Sequence, residues 1–179
     1  MSASTINVAV IGAGSWGTTV AALAAVNTPT VLWARRRELA DEINNAGVNP
    51  EYLPNFALPE ALRATDSLAD AVSHADVVVM AVPSHGYRDV AVEAAASIRP
   101  WVPVVSLSKG LERTTLKRMS EVTADAMPGH PVAVLTGPNL AKEILAGHAA
   151  AAVIAMSDVT VATRLQDLFA TELFRVYTN

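Results

Sequence analysis

Three glycines, an arginine turn and one isolated lysine are the residues whose types and spacing point to chemistry. Gly12, Gly14 and Gly17 fall at G-x-G-x-x-G spacing, directly after the apolar run Asn7 to Ile11 and directly before the Ala/Leu-rich run to Ala25. In a strand–turn–helix of this kind the first glycine permits the sharp turn. The second lets backbone approach a pyrophosphate, and the third lets the helix pack closely on the strand. The free N–H groups at the helix start then favour an anion. A close packing turn with no ligand is the alternative, but the required order of strand, turn and helix favours a dinucleotide.

Arg35-Arg36-Arg37 follows a second strand, Thr30 to Ala34. Folds that select NAD often place an acidic residue about 20 positions beyond the glycine loop, on the ribose hydroxyls. Here the first acidic residue of the turn is Glu38. Guanidinium groups in that place match the forked geometry of a 2′-phosphate, so Arg35 and Arg36 are read as accepting NADP. A solvated basic helix start is the competing reading. The chain carries ten arginines and three lysines, which singles out Lys109. It stands with Ser108 and Gly110 at the mouth of the strand Pro103 to Leu107. A positive charge there can hold a substrate phosphate or lie near the reacting carbon.

The elements that must position these groups alternate strand and helix. After a helix from Glu38 to Ala46 ending at Gly47, NPEYLPNFALPE reads as a loop with prolines at 50, 54 and 59. Tyr52 and Leu53 are candidates for a lip over an adenine, with loop anchoring as the alternative. A helix of the SLADAVSHA type follows Thr65 and Asp66. The run Val77 to Val82 is a fourth strand, whose end places Val82, Pro83 and Ser84 toward a cofactor; His85 is read as a surface residue. Helices are expected at Tyr87 to Ile98 and Thr114 to Met127, and a strand at Val132 to Leu135. That strand runs into TGPNLAKEI, with Asn139 and Lys142 at a helix start. A strand through AAAAVIAM, an amphipathic helix capped by Ser157 and a last strand from Phe174 to Thr178 complete the chain. The pattern predicts an α/β fold: a doubly wound, mostly parallel sheet with helices on both faces, whose ligands sit outside the strand carboxyl ends.

At 179 residues with 51% hydrophobic and 17% charged side chains, the chain suits one globular domain. A net charge of −4 gives no reason to expect nucleic acid. No apolar run reaches the about 18 residues of a membrane-spanning helix, and MSASTI does not read as a signal peptide. The absence of cysteine removes disulfides and thiolate metal sites, which fits the cytoplasm. No metal site is expected.

Taken together, GAGSWGT at 12–18, VLWARR at 31–36, EYLPN at 51–55, VPSH at 82–85, SLSKGLE at 106–112 and GPNLAKEI at 137–144 resemble the N-terminal domain of bacterial NAD(P)-dependent glycerol-3-phosphate dehydrogenase. The SKG and GPxxAKE loops, combined with the glycine fingerprint, are far more specific than the fingerprint alone. The resemblance implies a Rossmann-type domain over residues 1–179 and reversible reduction of dihydroxyacetone phosphate to sn-glycerol 3-phosphate, for glycerophospholipid synthesis. It implies cofactor contacts from Ser15, Trp16, Arg35, Arg36, Tyr52, Lys109 and Ala141, and substrate contacts from Lys109, Gly137 and Asn139. Asn139 departs from the family's usual Ser or Thr but still offers a donor and an acceptor. The family's catalytic lysine lies in an all-helical C-terminal domain that also makes the homodimer contacts. The expectation is therefore a cofactor domain without its general acid, in a chain that looks cut at Asn179. A free-standing nucleotide-binding or redox-sensing module, and a dehydrogenase of another small phosphorylated carbonyl, remain open alternatives.

Overall fold

The first buried strand, β1 (Val8–Ile11), lies near the centre of one eight-stranded sheet in the computed structural model, which describes residues 5–179. Its four side chains are β-branched or small and at most 2% exposed, as expected for a parallel strand covered on both faces. Helix α1 (Ser15–Asn27) returns the chain to β2 (Thr30–Trp33), and α2 (Arg37–Ala46) ends on Gly47 in the left-handed region, φ +63°. Next come β3 (Leu62–Thr65), α3 (Leu68–Ser73), β4 (Val77–Met80), α4 (Tyr87–Ala95), β5 (Val104–Ser106) and α5 (Met119–Ala126). The chain closes with β6 (Val132–Thr136), α6 (Ala141–Leu145), β7 (Ala150–Ala155), α7 (Val159–Phe169) and β8 (Phe174–Thr178).

The strand order is β3-β2-β1-β4-β5-β6-β7-β8, parallel throughout except where β7 runs against β6. This is the doubly wound sheet expected from the sequence. Two apolar layers cover it. Val8, Val10, Leu32, Val79 and Val105 face α1, α2, α6 and α7, while Ala9, Ile11, Val78, Met80 and Val104 face α3, α4 and α5. Each fully buried Val, Leu or Ile contributes roughly 1.5–3 kcal/mol of transfer free energy.

Register matters more for function than thickness does. Ile11 lies opposite both Trp33 and Met80, so the central strands end level. The hydrogen bonds Gly12 N to Trp33 O (3.1 Å), Ala81 N to Ile11 O (2.8 Å) and Leu107 N to Met80 O (2.9 Å) continue that line one residue further. Between β1 and β4 the order of winding reverses, which opens a crevice at the carboxyl edge.

Four local expectations are corrected. Leu62–Thr65 forms β3, an edge strand paired with β2 in a stretch to which no strand was assigned, although Val77 to Val82 is counted as the fourth; only Leu62 of its four residues is buried. The helix expected from Thr114 begins at Met119 instead. Residues 111–118 form a tight turn closed by a bridge between Leu111 and Arg118, with Leu116 at φ +58°, incompatible with helix. Helix α4 ends at Ala95, three residues short of Ile98, although single turn bonds continue to it. The cap of α7 is Asp158 rather than Ser157: its carboxylate accepts from Thr160 N and Val161 N, leaving Ser157 no role there.

Candidate functional site

The carboxyl edge of the sheet carries two adjoining clefts on either side of the glycine turn. One, of about 400 Å³, is lined by Gly12, Gly14, Arg35, Arg36, Tyr52, Pro83 and His85, among others. The second, of about 300 Å³, is lined by Gly14, Ser15, Trp16, Gly17, Tyr52, Pro83 and Lys109. Neither lining contains an aspartate or glutamate. His85, taken from the sequence as a surface residue, is exposed but borders the first cleft.

The three glycines hold distinct positions. Gly12 adopts φ +120°, and a Cβ there would stand 2.8 Å from the Ala81 carbonyl oxygen. A Cβ on Gly17 would lie 1.9 Å from the Gly12 oxygen, so helix and turn touch through the missing side chain. At Gly14 a Cβ would meet nothing within 4 Å, because that position faces open space. Gly14 is also the N-cap of α1. No side chain caps the helix and its first turn has no acidic residue, which leaves donors directed at the cleft. Hence an uncapped 13-residue helix, a glycine facing open space and a cleft without carboxylates fit the pyrophosphate of a dinucleotide.

The loop from 47 to 58 is held against this turn by a residue that the sequence reading passed over. Asn49 is fully buried, and its Nδ2 donates to the Ala13 carbonyl (2.9 Å) and to Thr18 Oγ1 (2.8 Å). Its Oδ1 accepts from Tyr52 N at 3.2 Å, and Leu53 N donates back to Asn49 O at 2.8 Å. Tyr52, 42% exposed, thereby borders both clefts while Leu53 beneath it is buried completely. The two residues taken together as a lip divide the roles: Tyr52 faces the clefts and Leu53 anchors the loop. Only its complete burial, unusual for a polar residue in a proline-framed loop, would have singled out Asn49, and burial is not visible in sequence.

At the far side, Lys109 follows β5 and its Nζ donates to the Gly137 carbonyl at 3.3 Å, linking the ends of β5 and β6. Gly137 and Asn139 line a third cleft, of about 400 Å³. A Cβ on Gly137 would stand 2.8 Å from the Ala151 oxygen, which makes glycine obligatory there. Both side-chain polar atoms of Asn139 are buried and unpartnered among the described residues, an arrangement that leaves a donor and an acceptor for a ligand. Ala141 opens α6, which packs on α1, and it lines none of these three clefts. The lysine loop is braced from behind. Arg88 on α4 donates from Nε to Glu112 Oε1 (2.6 Å) and from a terminal nitrogen to Glu112 Oε2 (2.9 Å). That bidentate contact holds the Glu112 carboxyl well down, to about 2. Among the described residues no group of three or more His, Cys, Asp or Glu side chains could hold a metal ion. No helix of the described chain is long and apolar enough to cross a membrane.

Comparison with known proteins bears on this edge. The family model described as NAD-dependent glycerol-3-phosphate dehydrogenase N-terminus matches residues 7–162. A glycerol-3-phosphate dehydrogenase [NAD(P)+] 2 of Sphingopyxis alaskensis is 57% identical over 174 residues, 97% of this chain and 52% of that protein. The glycerol-3-phosphate dehydrogenase [NAD(P)+] of Mycobacterium avium is 55% identical over 96% of this chain and 51% of its own length. Among solved structures, glycerol-3-phosphate dehydrogenase from Coxiella burnetii superposes with a TM-score of 0.91 at 31% identity, covering 98% of this chain and 54% of that one. The chain thus spans about half the length of the curated relatives it matches.

Proposed function

This chain belongs to the NAD-dependent glycerol-3-phosphate dehydrogenase N-terminus family, and from that premise we propose that it is the cofactor-binding part of an enzyme interconverting dihydroxyacetone phosphate and sn-glycerol 3-phosphate with NAD(P)H. The observation that carries the reading is the convergence of three loop sets on one edge of a parallel sheet. The glycine turn, the arginine turn and the Lys109–Gly137 pair all leave the carboxyl ends of neighbouring strands.

In this reading the first turn of α1 and Gly14 receive the pyrophosphate, and Arg35 with Arg36 grips a 2′-phosphate where one is present. Tyr52 and Pro83 wall the cleft, and Ser15 and Trp16 border the approach to Lys109. A bound nicotinamide supplies or accepts the hydride. Lys109 Nζ, already directed across the strand ends, holds a substrate oxygen as a point charge, and Gly137 and Asn139 complete its seat. Ala141 heads α6 outside the three clefts, so its expected cofactor contact has no support from the cleft linings. In this reading Lys109 keeps its charge and positions the substrate rather than supplying the proton that the reduced carbonyl needs. We assign that proton to a general acid in a second, helical domain, consistent with relatives nearly twice as long. Homodimer contacts and a cytoplasmic setting belong to the same proposal.

The test is made on the full-length protein carrying this chain. Addition of dihydroxyacetone phosphate should oxidise NADPH or NADH with formation of sn-glycerol 3-phosphate. Replacing Arg35 and Arg36 together with Ala should weaken NADPH more than NADH, by roughly tenfold or more. A protein that binds nucleotide without consuming dihydroxyacetone phosphate would support a sensing module and sink the dehydrogenase reading.

A further inference from the structure

Arg36 does not stand free in its cleft: its guanidinium is ion-paired with Glu51, 15 residues along the chain. Its neighbour Arg35 makes no ion pair among the described residues and borders the same space. The two arginines of the turn are therefore electrostatically unequal.

The pairing is built into the loop rather than being a chance meeting of two long side chains. Glu51 occupies the turn between Asn49 and Leu53, whose backbones bridge to one another. Both ends of that turn are fully buried, and Asn49 is tied to Ala13 and Thr18 beneath the glycine turn. The backbone carrying Glu51 consequently cannot draw back from Arg36. The side chains themselves remain 56% and 42% exposed, so the pair is weak enough to be displaced by a stronger anion.

We propose that Glu51 is a specificity-determining residue, a resident carboxylate that competes with the 2′-phosphate of NADPH for Arg36 and thereby levels the affinities for NADPH and NADH. The inference rests on the proposed binding of NAD(P)H at this edge. A 2′-phosphate approaching Arg36 must displace Glu51 from the guanidinium. A ribose bearing only hydroxyls makes no such demand on Arg36 and does not meet that penalty. Arg35 retains enough free charge for the phosphorylated cofactor to bind. Opposing demands on a single guanidinium thus set the ratio of the two affinities, rather than the strength of either.

Dissociation constants for NADPH and NADH, measured by nicotinamide fluorescence in the full-length protein, test this without any turnover. Glu51→Gln should tighten NADPH by roughly 2–5-fold, the scale of one exposed charge contact, while NADH changes by less than about twofold or weakens. Glu51→Ala should act in the same direction. In an Arg36→Ala background the Glu51→Gln effect on NADPH should vanish, because the competition has lost its object. Equal shifts for both cofactors, an unchanged NADPH affinity, or persistence of the effect without Arg36 would each overturn the role of Glu51 and leave NAD(P)H binding intact. A wild-type protein that binds neither cofactor would overturn the proposed function, and this inference with it.

Discussion

Asn49 and Thr18 meet in the buried space beneath the glycine turn, Nδ2 to Oγ1 at 2.8 Å, and join a loop to the first helix across 31 residues. Thr18 lies one turn into α1 and is as fully buried as its partner. The same amide nitrogen also serves the Ala13 carbonyl. Asn49→Ala would leave those acceptors without their donor in a place water does not reach. A loss of roughly 1–3 kcal/mol is expected, read as a lowered urea midpoint. Asn49→Asp should be at least as harmful, since an ionised carboxylate cannot donate to either oxygen.

Gly14 and Gly17 should respond oppositely to the same methyl group. Alanine at 17 normally favours a helix by about 1 kcal/mol, yet its Cβ would stand 1.9 Å from the Gly12 oxygen. Gly17→Ala is expected to destabilise by ~2 kcal/mol or more. Gly14 has φ −72° and open space beside it, so Gly14→Ala should cost no more than about 1 kcal/mol, the margin by which glycine exceeds alanine as a cap. Its larger cost should fall on NAD(P)H affinity, by tenfold or more, since the methyl fills room a pyrophosphate needs. Thermal melts and cofactor titration of both variants separate the two effects.

Lys109 is exposed, and its contact with Gly137 is long at 3.3 Å, so it adds little to folding. Lys109→Ala should leave the unfolding free energy within about 0.5 kcal/mol. In the full-length protein the KM for dihydroxyacetone phosphate should rise about tenfold or more, the scale of a lost hydrogen bond to a charged group. An unchanged KM would remove Lys109 from the substrate site.

Acid should loosen the support of the lysine loop before it reaches the sheet. The Arg88 guanidinium holds Glu112 at about 2, below its ordinary 4.5. A carboxyl lowered in the folded state contributes stability that is complete above its unfolded value and lost as pH falls through the folded one. Glu121 and Asp125 are lowered as well, by Arg118 and by Lys117 respectively, and act in the same direction. Stability measured by denaturant titration should therefore decline as pH falls from about 4.5 toward about 2. Glu112→Gln should flatten that decline.

The parts legible in sequence were those whose signal is local. The buried strands and the glycine turn announce themselves within about a dozen residues, because burial on both faces demands unbroken apolar runs. β3 escaped because an edge strand with Arg63 exposed and one buried leucine has no such run. The turn at 111–118 escaped because no glycine or proline marks it, its left-handed position being taken by Leu116. Ser157 and Asp158 are equally plausible caps in sequence, and only the backbone geometry chooses Asp158. In the candidate site, the residue types of Arg35, Arg36 and Lys109 were visible. The Glu51 that shares Arg36 and the Asn49 that fixes Glu51 were not, since their partners lie between 15 and 36 residues away.

The level strand ends have a further consequence: the sheet works as a ruler. Neighbouring strands lie about 4.8 Å apart, so the four gaps from β2 to β6 set the arginine turn and Gly137 roughly 19 Å apart. A ligand set that touches both ends must be about that long. Side-chain changes can alter how tightly each end grips, but the distance between the grips changes only in whole strands.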